Sequence, residues 1–165
     1  MARPELERTV QQSVLDRLID LDPRATADAP STFAQSVRQY KATVRRDLEW
    51  LLNTRRIAIP APDALEEVTH SLYHYGLPDI TSLSADSPES RVWLVRRIEE
   101  TIELFEPRLT GVRVSLSETS GASGREMRFL IEGTLRMDPT PEQVVFDTVL
   151  ELGSGQYQVS GVSGA

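Results

Sequence analysis

Apolar positions recur along this chain with two periods. Up to about residue 106 they fall three or four apart, and from about residue 110 they alternate. Leu6, Val10, Val14, Leu18 and Leu21 mark one side of an amphipathic helix over residues 5–21. Asp22-Pro23 closes it, since a proline disfavours helical geometry at the residue before it. Residues 23–31 carry Pro23 and Pro30 and no period, so they predict a linker. The first 22 residues then read as an arm, separate from a domain over 32–162. Phe33, Val37, Tyr40, Val44, Leu48, Leu51 and Leu52 predict a second helix over about 32–54.

An extended connector, Ile57 to Pro62, follows. Asp63 with Glu66 has the spacing of a capping box for a short helix through Leu65, Val68 and Leu72. Gly76 and Pro78 predict its end, with Gly76 in a left-handed conformation. After a loop over 79–87, Ser87-Pro88 opens a helix over about 88–105, marked by Val92, Val95, Ile98, Ile102 and Phe105. Pro107 stops it. Beyond it, Val112/Val114/Leu116, then Met127 to Leu135, then Val144 to Leu152 alternate as strands, and Gln156–Val162 suggests a fourth. A loop tip falls at 120–124, and residues 163–165 predict a frayed tail. Helices first and strands afterwards predict an α+β fold, with the N-terminal helices packed on one face of an antiparallel sheet of three to four strands.

Composition narrows the chemistry. The chain has 165 residues and no cysteine, which removes thiol catalysis, Cys-ligated zinc and disulfide scaffolds. Its 18 Lys+Arg against 25 Asp+Glu give −7, a poor balance for neutralising nucleic-acid phosphates or anionic lipid. No apolar run approaches the roughly 20 residues of a membrane span, and the first residues lack the apolar core of a signal peptide. A cytoplasmic protein is the expectation.

Few residues point to chemistry. His70 and His74, four apart on a predicted helix, could share a metal, but no third histidine or peptidase glutamate accompanies them, so surface histidines are the better reading. No metal or cofactor is expected. No Gly-x-Ser-x-Gly elbow occurs, and Gly121-Ala122-Ser123-Gly124-Arg125 lacks the Lys-Ser/Thr of a phosphate loop. With 25 acids, some pair at a glycosidase separation of roughly 5–10 Å is inevitable and uninformative. Arg38, Lys41, Arg45 and Arg46 form a basic stripe that fits either an acidic partner or a solvated helix face. Glu106 and Arg108 flank Pro107 at the helix-to-strand junction. They read as a helix stop with surface charges, or as a rigid polar fixture paired with another chain or a buried group.

Four motifs together resemble TssE, a type VI secretion baseplate family. They are Ser13-Val14-Leu15-Asp16-Arg17-Leu18, the run Val44 to Arg56 with its RDLE-x-LLNTRR pattern, Tyr75-Gly76-Leu77-Pro78-Asp79, and Glu106-Pro107-Arg108. The last is shared with the baseplate wedge protein of contractile-tail phages. Arg128 to Gly133 matches less specifically. The resemblance implies a non-enzymatic subunit in a wedge with TssF and TssG, beneath the TssB/TssC sheath, with TssK reached indirectly. It implies assembly at the cytoplasmic side of the inner membrane of a Gram-negative bacterium, without membrane insertion or nucleic acid. Carried onto this chain, it implies that Glu106, Pro107 and Arg108 fix a junction with partners and that Asp16 and Arg17 dock on TssF/TssG. Arg45, Arg46, Arg55 and Arg56 would also face partners, and strands within 111–162 would seed the sheath. Two other readings stay open at this stage: a regulatory anti-adaptor of the same fold, and a muramidase, after the family's older lysozyme-like label, for which the residues offer no catalytic support.

Overall fold

The computed structural model describes residues 9–19, 32–62, 64–80, 87–117 and 126–163. The predicted linker 23–31, most of the loop 79–87, the tip 120–124 and the last two tail residues lie outside them. The chain forms two compact units, residues 1–44 and 45–165.

In the first unit, helix α1 covers Val14–Leu18; of the helix expected over 5–21, residues 9–13 and 19 are not helical, and 5–8, 20 and 21 lie outside the described residues. The Ser13 hydroxyl accepts the Asp16 amide at 3.2 Å and starts the helix there. Val10 lies outside that helix and is buried, its backbone N–H donating to Ser36 Oγ at 3.0 Å. Helix α2 runs Phe33–Asn53. Thr32 and Gln35 cap it reciprocally: the Thr32 amide donates to Gln35 Oε1 at 2.9 Å, and the Gln35 amide to Thr32 Oγ1 at 3.3 Å.

The second unit takes the end of α2 and everything after it. Helix α3 is a single turn, Glu66–Thr69, and a separate 3-10 turn covers Leu72–His74. The capping box predicted for α3 does not open it. Leu65 stands at the cap position without a side-chain bond, and Asp63 lies outside the described residues. Ser71 explains the break, because its hydroxyl donates back to the Val68 carbonyl at 2.8 Å and accepts the Tyr73 amide at 3.2 Å. His70 and His74 therefore sit on separate turns and not on one helix face. Among the described residues no group of three His, Cys, Asp or Glu is placed to hold a metal ion.

Helix α4, Pro88–Phe105, begins as the sequence predicts. Ser87 caps the Ser90 amide at 3.3 Å, and Pro88 occupies the first turn. The Ser87 hydroxyl also donates to Glu89, holding that carboxyl below the ordinary carboxylate range. Leu94, Ile98, Thr101 and Ile102 are its buried side, and it packs on the first strand.

Strands β1 (Leu109–Leu116), β2 (Glu126–Leu135), β3 (Glu142–Glu151) and β4 (Gln156–Ser163) form one antiparallel sheet in the order β1-β2-β3-β4. The alternation has the predicted phase. Val112, Val114, Phe129, Ile131, Leu135, Val144, Phe146, Leu150, Tyr157 and Val159 are buried on one face, whereas Arg113, Arg128, Glu132, Asp147 and Gln158 are exposed on the other. With Leu48, Leu51, Leu52, Ile98 and Ile102 these make the core, each large aliphatic side chain contributing about 1.5–3 kcal/mol. Thus the fold is α+β, with the helices in the N-terminal half and the antiparallel sheet after them. Gly155, at φ +70°, turns β3 into β4, a conformation glycine reaches without steric cost.

Tyr157 is 3 % exposed and its hydroxyl has no hydrogen-bond partner among the described residues. Burial pushes its phenol pKa well above the ordinary value. The folded chain then keeps Tyr157 neutral at pH values where the unfolded chain ionises it. Stability should be level below about pH 10 and fall as pH rises beyond it. Tyr157→Phe removes an unsatisfied hydroxyl, so it should be neutral to about 1 kcal/mol stabilising at pH 7 and should reduce the alkaline loss. Urea unfolding at pH 7, 9 and 11 checks both, and an unchanged alkaline slope contradicts the assignment.

Candidate functional site

The sequence motifs meet around the end of α2. Asp47 lies three residues after Val44 and four before Leu51, so helical spacing puts a carboxylate in the apolar stripe. At the other side of the site α4 ends. Glu106 is its C-terminal cap residue, donating its amide to the Ile102 carbonyl at 2.8 Å. Pro107 cannot continue the helix. The Leu109 amide then bonds the Glu106 carbonyl at 3.0 Å, and the Arg108 carbonyl accepts the Arg136 amide at 2.8 Å, which starts the β1–β2 ladder. The two flanking side chains are thereby held at a fixed bend.

Arg108 uses its planar fork within the chain. Nε donates to Glu106 Oε1 at 2.5 Å, and Nη2 donates both to Glu106 Oε2 and to Asp47 Oδ2, the latter at 2.6 Å. Arg46 bonds the other Asp47 oxygen through Nε at 2.9 Å and Nη2 at 2.7 Å, and its guanidinium lies 4.7 Å from the centre of the Trp50 ring. Two cations and two carboxylates thus neutralise one another. Glu106 is 4 % exposed, and the Arg108 and Asp47 side chains 20 % and 24 %. Burial alone would lower the Arg108 pKa. The bonds and charge of Glu106, then of Asp47, overcome it and hold the guanidinium above its ordinary value. Tyr75 packs edge-on against Phe105 at 5.3 Å, and its phenol is pushed up by burial first and then by the charges of Asp47 and Glu106.

The chain leaving α2 is tied down residue by residue. Asn53 bonds both main-chain groups of Tyr157, donating from Nδ2 to its carbonyl and accepting its amide on Oδ1, each at 2.8 Å. Leu77 donates its amide to the Thr54 carbonyl at 2.9 Å, and the Arg56 amide donates to the Leu77 carbonyl at 3.0 Å, forming a parallel bridge of Arg55 with Leu77. Gly76 has the positive φ predicted, +99°, but the reason is tertiary. A Cβ there would stand 2.1 Å from the Thr54 carbonyl oxygen. Arg55 lies 3.8 Å from Asp79, both largely exposed.

Of the residues singled out from sequence, Glu106, Pro107, Arg108 and Arg46 come together. Arg55 and Arg56 sit on the strand-like bridge, and Arg45 is exposed on α2. In the other unit, the Asp16 carboxylate accepts the Ser13 hydroxyl at the start of α1, and Arg17 is exposed in the last turn. Sequence reading quoted Asp47, Asn53, Thr54 and Tyr75 within its motifs but gave none of them a role. For Asp47 a further signal existed, a charge in an apolar stripe. For Asn53 and Thr54 the partners are distant in sequence, so the motif alone could not say what they bond.

A four-stranded antiparallel sheet is thus entered from a helix through a Glu-Pro-Arg bend that is locked to α2. The sequence profile of the family described as baseplate wedge protein gp25 matches residues 38–140, from α2 to the β2–β3 connection, and the chain belongs to that family. No curated protein matches it with significance.

Removing Arg108 leaves a buried Glu106 without its cation, so Arg108→Ala should destabilise the fold by about 3–5 kcal/mol. Asp47→Asn keeps the shape and one acceptor, and should cost about 1–2 kcal/mol. Urea unfolding at pH 7 measures both, and a cost below 1 kcal/mol for Arg108→Ala would mean that the network is dispensable. Gly76→Ala combines a positive φ with the Thr54 clash and should lose more than about 2 kcal/mol, read as a fall in Tm.

Proposed function

We propose that this protein is the TssE-like structural subunit of a type VI secretion baseplate wedge, joining TssF and TssG to the first TssB/TssC sheath ring and templating its assembly. It makes and breaks no bond. It assembles in the cytoplasm against the inner membrane, with TssK reached through the other wedge subunits and with no nucleic acid or lipid insertion. The observation that carries the reading is membership of the baseplate wedge family, and the four motifs that resemble TssE support the finer assignment. No helix among the described residues is long and apolar enough to cross a membrane, in keeping with a peripheral position.

The geometry supports a division of labour. The Glu106-Pro107-Arg108 bend, locked by Asp47, keeps the sheet rigid against α2 and α4, so that partners meet a preformed surface and binding costs little ordering entropy. The exposed cations Arg45 and Arg55 lie outside that lock and, with Arg56 and with Arg46 at the lock's rim, contact acidic partner surfaces. Asp16 and Arg17, on the N-terminal arm, dock on TssF/TssG. The domain over 32–162 then carries the sheath, a free strand edge supplying unpaired main-chain groups.

Co-purification of the tagged full chain from cells that run the secretion system tests this. TssF, TssG and sheath subunits should be recovered together, and recovery of a response regulator in their place would overturn the reading. Arg45→Glu with Arg55→Glu should change stability by less than about 0.5 kcal/mol, as surface substitutions do, while depleting the wedge partners. Undiminished recovery of those partners would remove the two cations from the interface.

A further inference from the structure

The outward side of α4 carries a pattern that neither the core nor the Glu106–Arg108 bend uses. Leu94, Ile98, Thr101 and Ile102 turn inward. At helical spacing Val92, Arg96, Glu100, Glu103 and Leu104 line the opposite side, and all five are exposed. Val92 is 69 % and Leu104 39 % exposed, one toward each end of the helix. Between these apolar ends the charges are sorted. After Glu89 in the first turn come Arg91, Arg96 and Arg97, and then Glu99, Glu100 and Glu103. The helix dipole does not explain that order, since it favours cations and not Glu103 near the C-terminus.

The basic half is also concave. Pro88, Glu89, Val92, Trp93, Arg96 and Arg97 line an open groove of about 460 Å³. Arg97 is engaged within the helix: its guanidinium lies 5.6 Å from the centre of the Trp93 ring, and it bonds Glu100 at 2.7 Å. Arg96 makes no ion pair among the described residues. A groove with an aromatic wall and a cation beside it suits one aliphatic side chain flanked by carboxylates. The acidic half of the same helix presents that group, as Leu104 flanked by Glu100 and Glu103.

We propose that the outward side of α4 is a self-association surface, on which a second copy of this chain lays its own α4 antiparallel, about a two-fold axis at the level of Ile98. In that register Val92 faces the partner's Leu104 and Arg96 faces the partner's Glu100, and the two-fold repeats both contacts. The charge order selects this occupant. A uniformly acidic helix would meet Glu100 and Glu103, and a uniformly basic one would meet Arg96 and Arg97. Only a helix with the same order, reversed, sets opposite signs against each other along the whole length. With three arginines and four glutamates, α4 carries −1 of the chain's −7, so the net charge of the molecule leaves this face nearly neutral. One helix pair is a small interface, so the dimer is weak and depends on concentration. It concerns the free chain and stands independently of the wedge reading.

Sedimentation equilibrium of the purified full chain tests this. The mass should rise from one chain toward two between micromolar and millimolar concentration. Arg96→Glu and Glu100→Arg should each weaken the dimer roughly tenfold, since either places two like-charge pairs across the axis. An equimolar mixture of the two variants should recover the wild-type association, because each chain then offers the sign the other lacks. A misfolded variant cannot be rescued in this way. A chain that stays monomeric at millimolar concentration overturns the proposal. Variants that dimerise as the wild type does overturn the choice of face. Variants that weaken and do not recover on mixing overturn the antiparallel register, and assembly beyond two copies overturns the closed two-fold pairing. Recovery of wedge partners from cells is a separate readout, so each reading can fail without the other.

Discussion

The structure depends on one guanidinium held between two carboxylates from different parts of the chain. Arg108 and Glu106 are two residues apart, but Asp47 lies 61 positions away, on the helix that precedes them. The bond from Arg108 to Asp47 therefore ties α2 to the bend between α4 and β1. A buried ion pair gains little over an apolar replacement, because desolvation consumes most of its Coulomb energy. What it supplies is direction. The fork accepts a small set of geometries, and an apolar contact at the same place would tolerate sliding. Pro107 contributes from the other side by restricting the backbone between the paired residues.

The segment after α2 makes the same economy visible in neutral groups. Within four residues, Asn53 reaches β4, Thr54 accepts Leu77, Arg55 approaches Asp79, and Arg56 donates to Leu77. These ties need the close approach that Gly76 allows. Hydrogen bonds of this kind contribute about 0.5–1.5 kcal/mol each. Their greater consequence is that the end of α2, the turn around Gly76 and the sheet are tied together within the second unit.

Two side chains reach main-chain groups on the outer strands of the sheet. Glu99 on α4 accepts the Val114 amide of β1, and Asn53 bonds both main-chain groups of Tyr157 at the start of β4. Both are single side chains aimed at main-chain groups, and neither resembles the lysines or prolines that commonly protect edges.

Much of this was legible from the sequence because it depends on local rules. Period two against period 3.6 separated sheet from helices. Ser87-Pro88 marked the start of α4, Pro107 marked its end, and the alternation from Val112 to Leu150 assigned the buried face correctly. Local rules also misled where tertiary bonds competed. Val10 was drawn into the first helix although Ser36 takes its amide, and the turn at Ser71 broke a helix that the apolar spacing ran through. The sequence alone determined the class of fold, the phase of the sheet and the motifs of the family. Only the tertiary structure decided that Asp47 completes the Glu-Pro-Arg lock, that Gly76 serves a contact with Thr54, that Asn53 meets Tyr157 and that Glu99 meets Val114. Each of those joins groups at least 15 positions apart, and no pattern within a helix turn or a strand pair encodes which distant donor will meet which acceptor.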